Sequence, residues 1–273
     1  MNLKEGLAFI DKIEDLSAMP SLALDVMAML NDPRSTVKEI VEKLQLDQAM
    51  VSSILKTCNS PLYGIRNPVT SISMAVNLLG YSNIKSILMS YFMRNLYRLS
   101  GKSPIKEQLW KHSISVAVFS RQLAATKSKF DPEEAYLAGL IHDIGKIVLY
   151  MDNAAAYEKI IKIVESGQQD FITAEKQLLE YSHVDIGYFL LEKWKFSELL
   201  KEAVLYHHDA PTYMQGDKIL AVVSFADQLS HVFLERRYDE LNPFIKMFNF
   251  SEKELDKVVQ MATAAIEEFY KIL

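Results

Sequence analysis

Five of the six histidines in this chain, together with two aspartates, lie in apolar stretches that have helical spacing. Burying so many imidazoles and carboxylates without partners costs several kcal/mol. A metal ion is the common partner that satisfies a whole group of such side chains with the least cost. We therefore expect a hydrolytic metal site. Its candidate ligands are His112, His142, Asp143, His183, His207, His208 and Asp227.

Seven ligands of these types suit two divalent ions, because imidazole favours Fe, Zn or Mn and a carboxylate can bridge two ions. Asp143 has two oxygens with which to bridge such a pair. Two ions about 3.5–4 Å apart can activate a water molecule and clamp a phosphate. Lys146, in the same apolar segment, would neutralise a phosphoryl oxygen or steer the leaving group. We assign the catalytic roles to Asp143 and Lys146.

Several of these residues also have a purely structural interpretation. His112 alone is a core histidine bonded to a backbone carbonyl, and His142, Asp143 and Lys146 can form a hydrogen-bond network without a metal. The pair His207-His208 can cap the last carbonyls of a helix. The metal interpretation is preferred because all these residues occur together. His231 is interpreted as a surface or packing residue.

Helical spacing dominates the chain and no strand alternation is sustained, which predicts an all-α fold. Ser35 and Asp47 stand where helix N-caps are expected. Gly139 and Gly145 would let a neighbouring backbone approach closely. The predicted helices cover residues 3–15, 22–31, 36–45, 48–58, 71–79, 82–98, 105–127, 132–150, 154–166, 171–180, 183–194, 197–208, 217–236 and 252–271.

The polar segment 99–104 carries Gly and Pro and is the best candidate boundary. Short helices without a histidine precede it, and longer helices with every histidine follow it. We predict a small N-terminal helical subdomain over residues 1–100, packed on a helical bundle with the metal site over residues 101–236. A helical extension would follow over residues 237–273.

Composition restricts the function classes. The 273-residue chain has a net charge of −5 without a basic stripe, which argues against non-specific nucleic-acid binding. The single cysteine, Cys58, fits a reducing cytosol. The longest charge-free stretch, 67–84, contains Pro68 and Gly80 and does not resemble a membrane span. We therefore expect a soluble, cytoplasmic protein.

The segment His142-Asp143-Ile144-Gly145-Lys146 resembles the signature of the HD phosphohydrolase superfamily. The order His112, His142-Asp143, Asp227 is similar to the four-ligand metal site of that superfamily. The additional histidines make the set similar to that of the dinuclear HD-GYP phosphodiesterases. This resemblance implies two groups of ligands. One ion would be held by His112, His142, Asp143 and Asp227, and the other by Asp143, His183, His207 and His208.

The first hundred residues resemble the HDOD domain, the HD-related output domain of bacterial signalling proteins. The resemblance covers roughly residues 10–230, which makes it more specific than a short motif. It rests on Met19-Pro20-Ser21-Leu22, Asp47-Gln48-Ala49-Met50, Thr57-Cys58-Asn59-Ser60-Pro61-Leu62-Tyr63-Gly64, Pro68-Val69-Thr70-Ser71-Ile72 and Leu78-Leu79-Gly80. A role in signal transduction with a protein partner is what the resemblance implies.

The chain departs from both families. HDOD proteins have commonly lost some or all of the metal ligands and are usually regarded as non-catalytic, whereas this chain keeps them. The Gly-Tyr-Pro motif of the HD-GYP enzymes is missing after His208, so a cyclic dinucleotide substrate is not supported. Gln108, four residues before His112, is a poor ligand for a third metal.

Three functions therefore compete. The first is a metal-dependent phosphohydrolase acting on a nucleotide, a phosphodiester or another phosphorylated small molecule. The second is a non-catalytic signalling module in which any metal is structural. The third is DNA binding through the segments 36–45 and 48–58, and it ranks last because Lys56 is the only basic residue between Gln48 and Asn59.

Overall fold

The structure, a computed structural model, describes residues 3–13, 21–99, 101–127, 129–209, 219–233 and 238–272. These residues form fifteen α-helices and no β-strand, which confirms the all-α prediction. Two short 3₁₀ helices, Pro61–Tyr63 and Tyr238–Leu241, join them. The helices are α1 (Leu3–Asp11), α2 (Ser21–Asn31), α3 (Val37–Leu44), α4 (Gln48–Cys58), α5 (Ile72–Arg98), α6 (Pro104–Lys127), α7 (Pro132–Ile141), α8 (Ile144–Asp152), α9 (Ala154–Glu165), α10 (Phe171–Leu179), α11 (His183–Lys193), α12 (Glu198–Tyr206), α13 (Ile219–Val232), α14 (Asn242–Phe248) and α15 (Glu252–Ile272).

Local side-chain caps set the starts of α3 and α4. Asp47 caps α4 as predicted, because its Oδ1 accepts hydrogen bonds from the backbone N–H groups of Ala49 and Met50. The prediction of Ser35 as the cap of α3 is wrong by one residue. Thr36 holds that position, and it forms a capping box in which Glu39 accepts from the Thr36 N–H at 2.8 Å. A cap at Ser35 would place Lys38 at the third helical position, and a lysine cannot accept that bond.

Helices α5 and α14 both differ from the predicted helices. The predicted helices 71–79 and 82–98 form one element, α5, with a kink at Gly80, whose φ of 74° favours glycine. Helix α14 was not predicted. Its seven residues are too few to show a periodic pattern, although Pro243 in its first turn and the left-handed Asn249 at its end are ordinary boundary signals.

The core lies where α7, α13 and α15 pack against α6 and where α8 packs against α11. Phe119 of α6, Leu140 of α7 and Phe225 of α13 are fully buried. Burial of each such side chain contributes about 1.5–3 kcal/mol. Helix α5 packs on α7, and α1 packs on α11, so the N-terminal helices lie directly on the bundle. The boundaries at residues 100 and 236 stay predictions.

Two glycines allow the close packing predicted from the sequence. A Cβ on Gly145 of α8 would lie 1.9 Å from the backbone oxygen of His183, at the start of α11. A Cβ on Gly139 of α7 would lie 2.9 Å from the backbone oxygen of Val116 in α6. Both distances are below any normal contact, so these two helix pairs require glycine. In the described part of the chain, no helix is both long and apolar enough to cross a lipid bilayer.

Candidate metal centre

The predicted helix 132–150 is interrupted at its most polar point. Helix α7 ends at Ile141 and α8 begins at Ile144, so the prediction of one continuous helix is wrong. Asp143 adopts φ −102° and ψ 16°, which lies outside the helical region. The turn places the side chains of His142 and Asp143 in one buried cluster. The prediction had placed them about 100° apart around a continuous helix.

Asp143 lies at the centre of this cluster, and its two oxygens face different histidines. Oδ2 is 3.4 Å from Nε2 of His112 and 3.3 Å from Nε2 of His142. Oδ1 is 3.4 Å from Nε2 of His183 and 3.4 Å from Nε2 of His207. The carboxylate therefore separates two groups of imidazole nitrogens and contacts both.

The other two predicted residues complete the two groups. Oδ1 of Asp227 lies 3.1 Å from Nε2 of His112 and 3.8 Å from Nε2 of His142. Nε2 of His208 lies 3.0 Å from Nε2 of His183. The structure thus brings all seven side chains together, from helices α6, α11 and α13, the α7–α8 turn, and the C-terminal end of α12.

Outer hydrogen bonds fix the orientation of three of the imidazoles. Nδ1 of His142 donates to the carbonyl of Gly139 at 2.7 Å, and Nδ1 of His207 donates to the carbonyl of Val204 at 2.8 Å. Nδ1 of His183 contacts Oε2 of Glu175 at 2.6 Å. Since Nδ1 carries the proton in such bonds, Nε2 presents its lone pair to the centre, which is the arrangement of metal-binding histidines.

Buried atoms without partners support a cation at this centre. Nε2 of His142, Nε2 of His207 and Oδ1 of Asp143 are buried and have no hydrogen-bond partner within the described ranges. Buried polar atoms are nearly always satisfied. All three are acceptors that face one another, so another acceptor cannot satisfy them and a cation can. The residues present therefore fit a metal site.

The charges in the metal centre shift the pKa values of its own side chains. Burial disfavours the ionised form of Asp143, but His142 and Lys146 outweigh burial and hold the pKa of Asp143 well below its usual value. Burial likewise disfavours charged His112, but its contacts with Asp143 and Asp227 raise the pKa of His112 to about 9. Burial lowers the pKa of His142.

Lys146 is buried beside the bridging carboxylate. Its Nζ donates to Oδ2 of Asp143 at 2.6 Å and lies 4.1 Å from the centre of the Phe171 ring. Desolvation opposes its charge, but Asp143 and Asp227 more than compensate and raise the pKa of Lys146. Lys146 is therefore a cation held between Asp143 and an aromatic face.

Sequence reasoning missed Glu175, which supports His183 from outside the centre. The Glu175 side chain is fully buried, and its Oε2 accepts from the backbone N–H of His183 at 2.8 Å in addition to the Nδ1 contact. Its Oε1 accepts from the Tyr157 hydroxyl at 2.7 Å. The available signal was weak. Glu175 lies four residues after Phe171, on the apolar side of a short helix.

His231 lies at the edge of the same centre. It is exposed, as expected for a surface residue, but its ring stacks on His112 with 5.1 Å between centroids. Its Nε2 is 3.5 Å from Oδ1 of Asp227. His231 is therefore a surface residue that also packs against two of the proposed ligands, His112 and Asp227.

A cavity of about 400 Å³ opens onto the centre. His112, Lys146, His208 and Asp227 face it from the centre. Its walls carry the apolar residues Leu109, Ile161, Val164 and Phe171 and the polar or charged residues Gln108, Lys111 and Glu165. A small molecule in this cavity would contact both the cluster and an apolar surface.

Comparisons with known proteins agree with this architecture. A crystal structure of an HDOD domain protein of unknown function from Geobacter sulfurreducens matches with a TM-score of 0.76 and 26% identity, over 97% of both chains. An uncharacterized protein of Treponema pallidum is 25% identical over 97% of this chain, which spans 52% of that relative. Ribonuclease Y of Mycoplasma mycoides is 28% identical over 64% of this chain, and the match spans 35% of the ribonuclease. The HDOD domain model matches residues 16–210, and the chain belongs to the HDOD domain family.

Proposed function

We propose that this HDOD protein is a metal-dependent phosphohydrolase that cleaves a phosphate ester or a phosphodiester. The observation that supports it most is the position of Asp143, whose two oxygens face two separate groups of inward-pointing imidazoles. A single buried carboxylate between two such groups is suited to bridging two ions.

One ion would be held by His112, His142, Asp143 and Asp227. The other would be held by Asp143, His183, His207 and His208. Fe, Mn and Zn all suit this mixture of imidazole and carboxylate ligands. Two bound ions would supply an activated water at neutral pH and positive charge for the phosphoryl oxygens.

The residues of the chain account for the rest of the chemistry. Asp143 binds at the centre and is oriented by Lys146, which donates to its Oδ2. Lys146 also faces the cavity, so its ammonium is available to hold a phosphoryl oxygen. Phe171 and the neighbouring apolar wall exclude water from this side of Lys146, which strengthens its electrostatic interactions.

The cavity indicates the class of substrate. Its size and its apolar wall suit a small molecule with a flat or apolar part, such as a nucleotide. Lys111 and Glu165 also line the cavity, and Lys111 would contact further negative charge. The similarity to a ribonuclease makes an RNA phosphodiester the second substrate class that we test.

The competing proposal is a signalling module with a structural metal and no chemistry. Structural metal sites are closed by protein ligands, whereas catalytic sites keep a position open to substrate or water. Four residues of the centre face the cavity, and this arrangement favours catalysis over a purely structural site.

The test is elemental analysis of the full chain purified without oxygen, followed by assays on the same sample. The substrates are p-nitrophenyl phosphate, bis-p-nitrophenyl phosphate, mononucleotides and a short RNA. We expect two ions per chain and turnover of at least one substrate. The Asp143→Ala variant should lose both ions and all turnover, whereas the exposed and unrelated Asp25→Asn should keep both.

The outcomes separate the alternatives. Two ions without turnover of any substrate would favour the structural metal. Equal metal content in wild type and Asp143→Ala would refute the bridging role. A protein that binds no metal would overturn the proposal entirely.

A further inference from the structure

We propose that His231, Asp227 and His112 form an outer site that takes up a divalent first-row ion and passes it to the buried metal centre. We call this group of three side chains the entry site. The inference rests on the proposed dinuclear centre, because Asp227 and His112 are also proposed ligands of its first ion. His231 belongs to neither of the two proposed groups of ligands.

The three side chains of the entry site lie close enough to share one ion. Nε2 of His231 lies 3.5 Å from Oδ1 of Asp227, and the same oxygen lies 3.1 Å from Nε2 of His112. One ligand atom from each residue lies within 4.8 Å of the other two. Two nitrogen ligands of one tetrahedral ion, with bonds of about 2.0–2.1 Å, are about 3.3–3.4 Å apart. Small side-chain rotations therefore bring all three ligand atoms onto one ion.

The exposure of these side chains decreases from the surface to the centre. The His231 side chain is 66% exposed, whereas those of His112 and Asp227 are 18% and 10% exposed. His142, in the inner group, is fully buried. The entry site lines the cavity of about 400 Å³ that opens onto the centre. Moving an ion into a buried site is costly unless ligands replace its water. An ion that comes through the cavity therefore gains ligands from the entry site before it reaches His142.

The entry site and the first inner site both need Nε2 of His112, which makes the entry site transient. An imidazole offers one lone pair at Nε2. Nδ1 of His112 faces Oγ of Ser230 instead, at 3.4 Å. Oδ1 of Asp227 also serves both positions, since it lies 3.8 Å from Nε2 of His142. An ion can therefore stay on His112 and Asp227 while its bond to His231 breaks and a bond to His142 forms.

His231 combines a ring contact with a ligand atom beside a carboxylate. Its ring stacks on His112 with 25° between the planes and 5.1 Å between centroids, and its Nε2 lies beside Oδ1 of Asp227. A phenyl ring could make the same stack, because stacking needs only an aromatic face. A phenyl ring offers no nitrogen to an ion. Replacement of His231 by Phe therefore separates ring packing from metal uptake.

Rapid mixing of the full, metal-free chain with Co²⁺ alone, followed by visible absorbance, tests the proposal. His231→Phe and His231→Ala should each load at least one ion about tenfold more slowly, the lower end of the loss when a residue that supports a metal site is removed. The final content should stay at two ions, so detailed balance requires release to excess EDTA to slow by the same factor. The matched control, Gln108→Ala, changes an exposed residue of the same cavity and should keep both wild-type rates.

The outcomes distinguish failure of the entry site from failure of the proposed function. A wild-type chain that takes up no Co²⁺ would overturn both. Two ions loaded at the same rate in every variant would overturn the entry site alone. A wild-type rate in His231→Phe with slow loading in His231→Ala would assign His231 to ring packing and overturn its role in uptake. Faster release, or loss of one ion from either His231 variant, would make His231 a permanent ligand and overturn the transfer step.

Discussion

Replacement of Glu175 by Gln isolates the contribution of one negative charge outside the metal centre. In the structure the Glu175 carboxylate accepts three hydrogen bonds, two from His183 and one from the Tyr157 hydroxyl. A Gln of the same shape can still accept both bonds from His183 with its single oxygen. Its amide then donates to the Tyr157 hydroxyl, which rotates to accept. The variant should therefore fold, and the main change is the loss of a charge beside His183.

The magnitude follows from the role of such outer partners. A carboxylate bonded to Nδ1 fixes the ring and raises the basicity of Nε2, and its loss typically costs 10–100-fold in metal affinity, or about 1.4–2.7 kcal/mol. This loss should directly affect only the ion held by Asp143, His183, His207 and His208. The ion held by His112, His142 and Asp227 should be weakened less, because Glu175 contacts His183 and none of the ligands of that group.

The assay is an anaerobic titration with Mn²⁺ or Zn²⁺ against a chromophoric chelator, which resolves two binding steps. Glu175→Gln should weaken one step and spare the other, and Tyr157→Phe should have a much smaller effect. The exposed Glu158→Gln on α9 serves as the matched control. Two steps of wild-type affinity would show that Glu175 does not tune His183, and equal weakening of both steps would refute the division into two groups of ligands.

Four further changes test other parts of the centre. Lys146→Ala should keep both ions and lose phosphatase activity, so retained turnover at full metal content would remove Lys146 from the mechanism. His231→Ala should leave the metal content unchanged, because this residue lies outside both proposed groups, and loss of an ion in elemental analysis would add it to the ligands. Gly145→Ala should lower the free energy of unfolding in urea by about 1–3 kcal/mol or more, because its Cβ would lie 1.9 Å from the backbone oxygen of His183; an unchanged urea midpoint would contradict that close packing. The pKa of His112 is raised to about 9 in the metal-free protein, so the stability from its charge is complete below about pH 6.5 and is lost as the pH rises toward 9. Thermal unfolding of the metal-free chain should show this decline, and His112→Gln should flatten it; the same slope in both proteins would assign the decline to another group.

The helices could be predicted from the sequence wherever local signals set their ends. Asp47 acts through its own backbone neighbourhood and was identified correctly as a cap. Gly80, with its positive φ, kinks α5 between the two predicted helices instead of separating them. The break after Ile141 could not be predicted, because apolar helix formers continue on both sides and no Gly or Pro stands at His142-Asp143 itself. There the tertiary structure overrides local preference.

The residues of the candidate site were likewise predicted where a local sequence signal marks them and missed where none does. Histidines in apolar helical stripes can be recognised in the sequence, because an unsatisfied imidazole in a core is costly. All seven predicted residues, five histidines and two aspartates, meet in the structure. Glu175 was missed because its partners come from other helices. The burial of its carboxylate is explained only by its contacts with His183 and Tyr157.

The break in the helix at His142-Asp143 explains how two adjacent side chains can both reach the metal centre. On a continuous helix two neighbouring side chains point about 100° apart, and one carboxylate could not contact imidazoles from α6, α11 and α12 while staying beside His142. The non-helical Asp143 turns its carboxylate to the point where these elements converge, and Gly145 lets the start of α11 approach closely enough to bring His183 there. The motif therefore needs its glycine as much as its histidine: without the close approach of α8 and α11, Oδ1 of Asp143 would lose its contact with His183, and the second group of ligands would be incomplete.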